Sequence, residues 1–192
     1  MDIPKPCKKE VKKYLNKWDS LENYVLQEES LNKLFYGEFK SNNDIHNILI
    51  KASALNDFYS TNIFSIFPVA KHIYKLNIDN RLEKNDTSLV NDIAQVKING
   101  VKKNFYSFAT KYCSHHKPEE YPIYDSYVEK MLMYFQKTDK FAKFKKADLK
   151  NYAKFKSILI EFKKFYDINE YTLKEIDKYI WQLGKEYMPK NY

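Results

Sequence analysis

Apolar residues recur at three- and four-residue spacing along most of this chain, which is the period of an amphipathic helix. Val11, Tyr14, Leu15, Trp18, Leu21 and Val25 line one face of a first helix. Leu31, Leu34 and Phe35 carry the pattern into a short element ended by Gly37. Asp44 stands at an N-cap position before Ile45, Ile48, Leu49, Ala52 and Leu55. Ser60 or Thr61 is placed to cap the next helix, with Ile63, Phe67, Ala70 and Ile73 on its face. Pro68 falls inside that helix and predicts a kink or a split. Residues 76–86 read as a polar loop. A short helix follows from Thr87 or Ser88 through Val96, then a Lys97-Ile98-Asn99-Gly100 turn. Further helices are predicted over 101–115, 125–136, 148–166 and from Thr172 to about Gly184. Thr172 and Glu175 have capping-box spacing. No segment reads as a strand. The fold class is therefore all-α.

Composition agrees with this picture. The chain has 192 residues, is 44% hydrophobic and has only three glycines, Gly37, Gly100 and Gly184. So few glycines argue for long helices over a turn-rich β fold. No linker or repeat divides the chain, so residues 1–192 are expected to form a single compact unit. The net charge of +8 is uneven. Lys137 to Lys164 holds ten lysines against Asp139, Asp148 and Glu161, a local surplus of +7 that suits phosphate backbones or an anionic surface. An alternative is a solvated lysine face. Phe141, Phe144, Phe155, Phe162 and Phe165 in the same stretch fit a core better than a membrane surface. Arg81 is the sole arginine, which leaves little bidentate readout of guanine.

Two distant cysteines, Cys7 and Cys113, offer no disulfide framework, and Met1 to Glu10 lacks the apolar core of a signal peptide. A reducing cytoplasm, with no membrane partner, is the expected setting. Cys113, His115 and His116 lie within four residues, but no partner pair has zinc-site spacing. A buried thiol and two loop histidines are expected there, with no metal and no cofactor.

The stretch Gly100 to Val128 holds the strongest hint of chemistry. It reads as a glycine turn, a helix, a return past Pro118 and Pro122, and Asp125 opening the next helix. A helix over 104–115 rises roughly 18 Å. If extended, the return 117–124 spans up to about 26 Å, enough to bring Asp125 back beside Lys102 and Lys103. Asp125 would then be ionised at a helix N-terminus, where the helix dipole favours negative charge. The same position also makes it a plain N-cap.

Three segments carry a resemblance. Leu55 to Ile73 is similar to the early helix pair of the helix-hairpin-helix DNA glycosylases (endonuclease III and 8-oxoguanine glycosylase type), where a short polar turn opens a helix beside DNA. Val96-Lys-Ile-Asn-Gly-Val-Lys-Lys resembles a worn form of their hairpin, with Lys102 where a second glycine is usual. Pro122-Ile-Tyr-Asp125 resembles their Pro-Val-Asp element, with the aspartate one residue later. The likeness covers roughly 45–135, and no four-cysteine iron–sulfur motif is present. It implies a two-lobed helical bundle, a degenerate helix-hairpin-helix near 87–116, and a second lobe built from 1–44 and 136–192.

The function it implies is hydrolysis of an N-glycosidic bond in DNA at a damaged or modified base. Asp125 would be the central carboxylate. Lys103 aligns best with the nucleophilic lysine of bifunctional members, with Lys111 the alternative; Lys103 also reads as a merely exposed lysine. Tyr59, Tyr106, Tyr124 and Tyr127 are candidates to stack on a flipped base. Gly100, Lys102, Ser60 and Thr61 would approach the DNA backbone. A rival reading keeps the fold but makes it a catalytically inactive DNA-binding or protein-interaction module.

Overall fold

The computed structural model describes residues 3–189. Among them are ten α-helices and one two-stranded antiparallel sheet, so the protein is all-α. Backbone contacts divide the chain into an interior unit, Asn23–Tyr121, and a terminal unit that joins Met1–Glu22 to Pro122–Tyr192. The divisions thus fall after residues 22 and 121, whereas the sequence suggested a single unit with lobes divided at 44 and 135. Packing explains the difference. Leu31 and Phe35 are buried with the interior helices, and the helix opened by Asp125 packs on the last helix.

The interior unit contains α2 (Glu22–Asn32), a π-helical turn at Lys33–Glu38, α3 (Ile45–Phe58), α4 (Ile66–Leu76), α5 (Asp79–Glu83), α6 (Ser88–Ala94), β1 (Gln95–Ile98), β2 (Val101–Asn104) and α7 (Tyr106–His116). Helix α3 packs on α4, α6 packs on α7, and β1 lies against α4. Asp44 caps α3 by accepting from the His46 amide. Pro68 does not break α4. It is the third residue of that helix, where its missing N–H is one the first turn leaves unpaired anyway. Neither Ser60 nor Thr61 caps α4, whose N-cap position is Ser65. Residues 76–86 are not a plain loop, because α5 lies within them.

The sharpest departure is at 95–104. The stretch expected to finish one helix, turn and begin the next is a β-hairpin, with Val96 opposite Lys103, Lys97 opposite Lys102, and Ile98 opposite Val101. Asn99 and Gly100 both have positive φ, 48° and 81°. That is the type I′ turn which matches strand twist and which Asn-Gly favours. Phe105 closes the ladder by donating to Ala94 O at 2.8 Å, and α7 starts only at Tyr106. Helices α6 and α7 are thus joined by a β-hairpin, not by the short turn that a helix-hairpin-helix near 87–116 required.

A buried charge braces the interior unit. Lys51 sits at a core position of α3, between Ile48 and Leu55, and is fully buried. Its ammonium donates to Phe39 O (2.8 Å), Ser41 O (3.0 Å) and Asn42 Oδ1 (2.9 Å). Asn42 in turn donates from its backbone and side-chain nitrogens to the Asp79 carboxylate, at 2.8 and 2.6 Å. The Tyr112 hydroxyl donates to Asn42 Oδ1 at 2.7 Å. Three acceptors use all three protons of the lysine, and the Phe35 ring lies 5.2 Å from the charge.

The terminal unit contains α1 (Lys8–Trp18), α8 (Ser126–Thr138), a 3₁₀ turn at Lys146–Lys150, α9 (Tyr152–Phe165) and α10 (Leu173–Tyr187). Helix α10 packs on both α1 and α8. Phe135, Phe141, Phe162 and Tyr166 form one aromatic cluster. Phe155 joins the core as expected, whereas Phe165 stays 46% exposed. Gly184 is not the end of α10 but lies inside it, at the closest approach to α8.

Two predictions follow from this packing. A Cβ at Gly184 would stand 2.8 Å from Tyr127 Cβ and 3.1 Å from Tyr127 O. Gly184→Ala should therefore lower stability by about 1–3 kcal/mol in urea unfolding, despite alanine's better helix propensity; an unchanged or higher midpoint would contradict the close contact. The second concerns Lys51, which burial pushes down to about 8 from the ordinary 10.5, with Asp79 opposing the shift. Between those values the unfolded chain holds a proton that the folded chain has released, so stability from this group rises with pH across the window and is flat below it. Wild type should gain up to about 3 kcal/mol over Lys51→Met as pH rises through that range. A constant difference would show that Lys51 does not titrate there.

Candidate functional site

Helix α7 is buried from Phe108 to His115 yet carries polar residues along its length. Ser107, Lys111 and His115 repeat every four residues and share one face. Lys111 is 4% exposed and His115 is 3% exposed. Lys111 Nζ donates to Ser107 Oγ at 2.7 Å and lies 5.2 Å from the centre of the Tyr59 ring. The Tyr59 hydroxyl pairs with His115 Nε2 at 3.0 Å, and Phe35 packs on the His115 ring. The result is an enclosed amine with a hydroxyl, a phenol and an imidazole around it. Such a setting holds the amine in one place, which is one requirement of an amine nucleophile.

The opposite polar edge of α7, Tyr112 and His116, belongs to the Lys51 brace. His116 Nε2 lies 3.2 Å from Asn42 Nδ2 and 3.4 Å from Lys51 Nζ. Burial first, and Lys51 second, hold the His116 imidazole well below its usual range, so it stays neutral at physiological pH. Both histidines are thus helical, not loop residues. Cys113 is buried, and burial pushes its thiol up, away from reactivity.

In the terminal unit, Asp125 caps α8. Its Oδ1 accepts from the Tyr127 and Val128 amides at 2.8 and 2.9 Å. Its Oδ2 makes no hydrogen bond or ion pair among the described residues, and the side chain is half-buried. The approach to Asp125 is anchored, because the buried Tyr152 hydroxyl donates to Pro122 O at 2.9 Å. Tyr124 is buried, with Phe155 at its ring edge and Lys150 Nζ 4.0 Å from its ring centre. Its hydroxyl bonds the Glu129 carboxylate. Tyr127 is half-buried and packs edge-on against Trp181.

The return from α7 is not extended over its full length. Lys117 O accepts from Glu120 and Tyr121 amides, which makes a turn at 118–120 before the open stretch 122–125.

The structure sorts the sequence candidates. It brings Tyr59 and Lys111 together. Lys103 and Lys102 stand exposed on β2, and Gly100 is at the hairpin tip. Tyr106 is 4% exposed, with burial raising its phenol pKa, and Tyr124 is equally covered. The rings of these two are therefore against protein. Ser60 is exposed at φ 46°, and Thr61 Oγ1 donates to Asn56 Oδ1 at 2.6 Å. Asp125 belongs to the terminal unit, and Lys103 and Lys111 to the interior unit.

Sequence reasoning missed Ser107, Asn42, Lys51 and Asp79, and set His115 in a loop instead of on α7. The spacing 107, 111, 115 was visible but hidden among aromatics. A lysine inside the Ile48–Leu55 apolar stripe was the one clear signal for Lys51.

Comparison with known proteins gives a family and no activity. A family model described as HI_0787_N, an N-terminal domain, matches residues 10–120, ending beside the last residue of the interior unit. An uncharacterized protein of Haemophilus influenzae is 53% identical over 148 residues, covering 77% of this chain and 71% of that protein. No solved structure matches significantly. Among the described residues, no helix is long and apolar enough to cross a membrane. On the extent of these two matches, the chain belongs to the HI_0787_N family.

Proposed function

We propose that this protein acts on DNA as a base-excision glycosylase, hydrolysing the N-glycosidic bond of a damaged or modified base. The observation that carries the reading is the state of Asp125. One oxygen is spent on capping α8, and the other is unengaged in a half-buried position on an anchored segment. The two backbone amides of the first turn of α8 hold this carboxylate in one orientation. The position of Asp125, opening α8 after the return from α7 past Pro118 and Pro122, supports the same reading.

In the proposed reaction the C1′–N bond breaks with its electron pair leaving on the base. Asp125 stabilises the positive charge that grows at C1′. Water adds to C1′ and gives its proton to the Asp125 carboxylate. If the protein is bifunctional, a neutral lysine amine replaces water at C1′ and a Schiff base follows. Lys103 and Lys111 are the candidates for that role: Lys103 is exposed on β2 and open to a strand, whereas Lys111 is held by Ser107 and Tyr59 and almost fully covered. Tyr59 and Tyr127, half-buried, suit base stacking better than the buried Tyr106 and Tyr124.

A second reading rests on the hairpin. Strand β2 is exposed along its length, and Lys102 there, in place of a second glycine, suits backbone contact without catalysis, as in an inactive DNA-binding module.

Asparagine caps helices as well as aspartate does. Asp125→Asn should therefore keep the melting temperature and DNA affinity of wild type while base release falls by about 10²–10⁴-fold on duplexes carrying damaged or modified bases. Release that persists in Asp125→Asn would remove this residue from the mechanism. Absence of release from wild type across a broad panel, with salt-sensitive DNA binding intact, would favour the inactive module.

If the protein is bifunctional, borohydride should trap a DNA adduct that is lost in Lys103→Ala and kept in Lys111→Met. The reverse pattern would move the nucleophile to α7.

A further inference from the structure

The interior unit presents a second surface that the excision reading does not use. Phe64 is fully exposed, at 102% of its reference area, in the loop before α4. That loop is held firmly. Asn56 Oδ1 accepts from Thr61 Oγ1 and the Ile63 amide, and Asn56 Nδ2 donates to Ile63 O. Ile63 is buried, so the chain is pinned one residue before the exposed ring. On α4 itself, Val69, Ala70 and Ile73 face the core. Phe67, Lys71, Tyr74 and Lys75 fall on the other side at i, i+4, i+7 and i+8. Phe67 is 55% and Tyr74 is 46% exposed.

Charge on this surface has one sign. Neither α4 nor the hairpin that lies against it contains a carboxylate. Lys71, Lys75, Lys97, Lys102 and Lys103 are all exposed, and none makes an ion pair among the described residues. Lys97 and Lys102 stand directly opposite each other across the hairpin, a like-charge pair that costs stability unless an anion lies between. On the elements that pack against α4, Asp57 lies in the last turn of α3 and Asp92 of α6 is paired with Arg81 at 2.7 Å.

We propose that Phe64 and the outer face of α4 form a binding platform for single-stranded nucleic acid. Rings at Phe64, Phe67 and Tyr74 stack on bases, and Lys71 and Lys75 hold phosphates between them. Rings interleaved with cations are the arrangement that grips an unpaired strand without sequence preference. A protein partner fits less well, because interface cores are depleted in lysine. A lipid surface also fits less well. The apolar side of α4 is turned into the core, and the outer side has cations between its rings. The proposal stands independently of base excision.

The test is fluorescence anisotropy of the full chain with a labelled oligo-dT strand of roughly fifteen nucleotides, beside a duplex of equal length and vesicles of phosphatidylserine and phosphatidylcholine. Wild type should bind the single strand more tightly than the duplex. Phe64→Ala and Phe67→Ala should each weaken oligo-dT binding by at least about fivefold and leave the duplex affinity nearly unchanged. Both side chains are exposed, so thermal melts should match wild type. Lys71→Ala with Lys75→Ala should reduce the salt slope by about 1.4. Oligo-dT binding that is absent in wild type, or equal in the aromatic variants, overturns the proposal. So does vesicle binding that depends on Phe64 while oligo-dT affinity does not. Base release and adduct trapping bear on Asp125, Lys103 and Lys111, none of which the platform test substitutes, so the two readings fail separately.

Discussion

Burying the Lys51 ammonium is the constraint that organises the interior unit. An ion taken out of water is costly unless every proton finds an acceptor, and removing one partner of a buried charge typically costs several kcal/mol. Here the acceptors are drawn from far along the chain. Two are carbonyls of the segment after the π-helical turn, and the third is Asn42, which Asp79 and Tyr112 hold in place. A loop, α3, α5 and α7 are thereby fixed to one another by a single charge. The loop from Phe39 to Asn42 has no regular structure, and its Phe39 and Ser41 carbonyl groups are satisfied by this lysine rather than by a ladder.

The terminal unit relies on a different principle. Its core is built from aromatic rings at tilted and edge-to-face angles, with Phe135, Phe141, Phe162 and Tyr166 in mutual contact. Gly184 lets α10 come against α8 at the level of Tyr127, two residues after Asp125. The capping aspartate is thus set on a helix whose first turns are pressed against a neighbour, which limits how far its carboxylate can drift. In the interior unit, Lys111 is restrained by a hydroxyl and a ring. Asp125 and Lys111 therefore each have local support, in their own unit.

Most helix-forming segments were legible from spacing, but the first helix, read as one element through Val25, is two, α1 and α2, broken after Trp18. Asp44 and Thr172 act as the caps that their positions suggested, and the Thr172–Glu175 capping box is formed. Asp125 is at the N-cap foreseen for it. The hairpin was not read, although Asn99-Gly100 between Ile98 and Val101 is a strong two-residue turn signal. Short strands rich in lysine carry little apolar alternation, so the helical period of the flanking segments masked them. Pro68 misled in the other direction, because the cost of a proline depends on its place in the helix, and the start of α4 lies later than the polar turn suggested.

By itself the sequence determined the helical class, the basic surface and which residues could cap a helix, because these depend on neighbours within a turn or two of chain. Only the tertiary structure decided which polar residues are enclosed. Lys51 and Lys111 look like any other lysine in a lysine-rich chain, yet both are buried, while Lys103 and Lys71 are not. Burial is set by what packs across from a residue, and those partners lie tens of residues away: Asn42 and Asp79, or Tyr59 and His115. The same holds for Phe64, whose exposure follows from the Asn56 contacts that hold its loop. Local propensity cannot encode such pairings, because they exist only once distant elements have met.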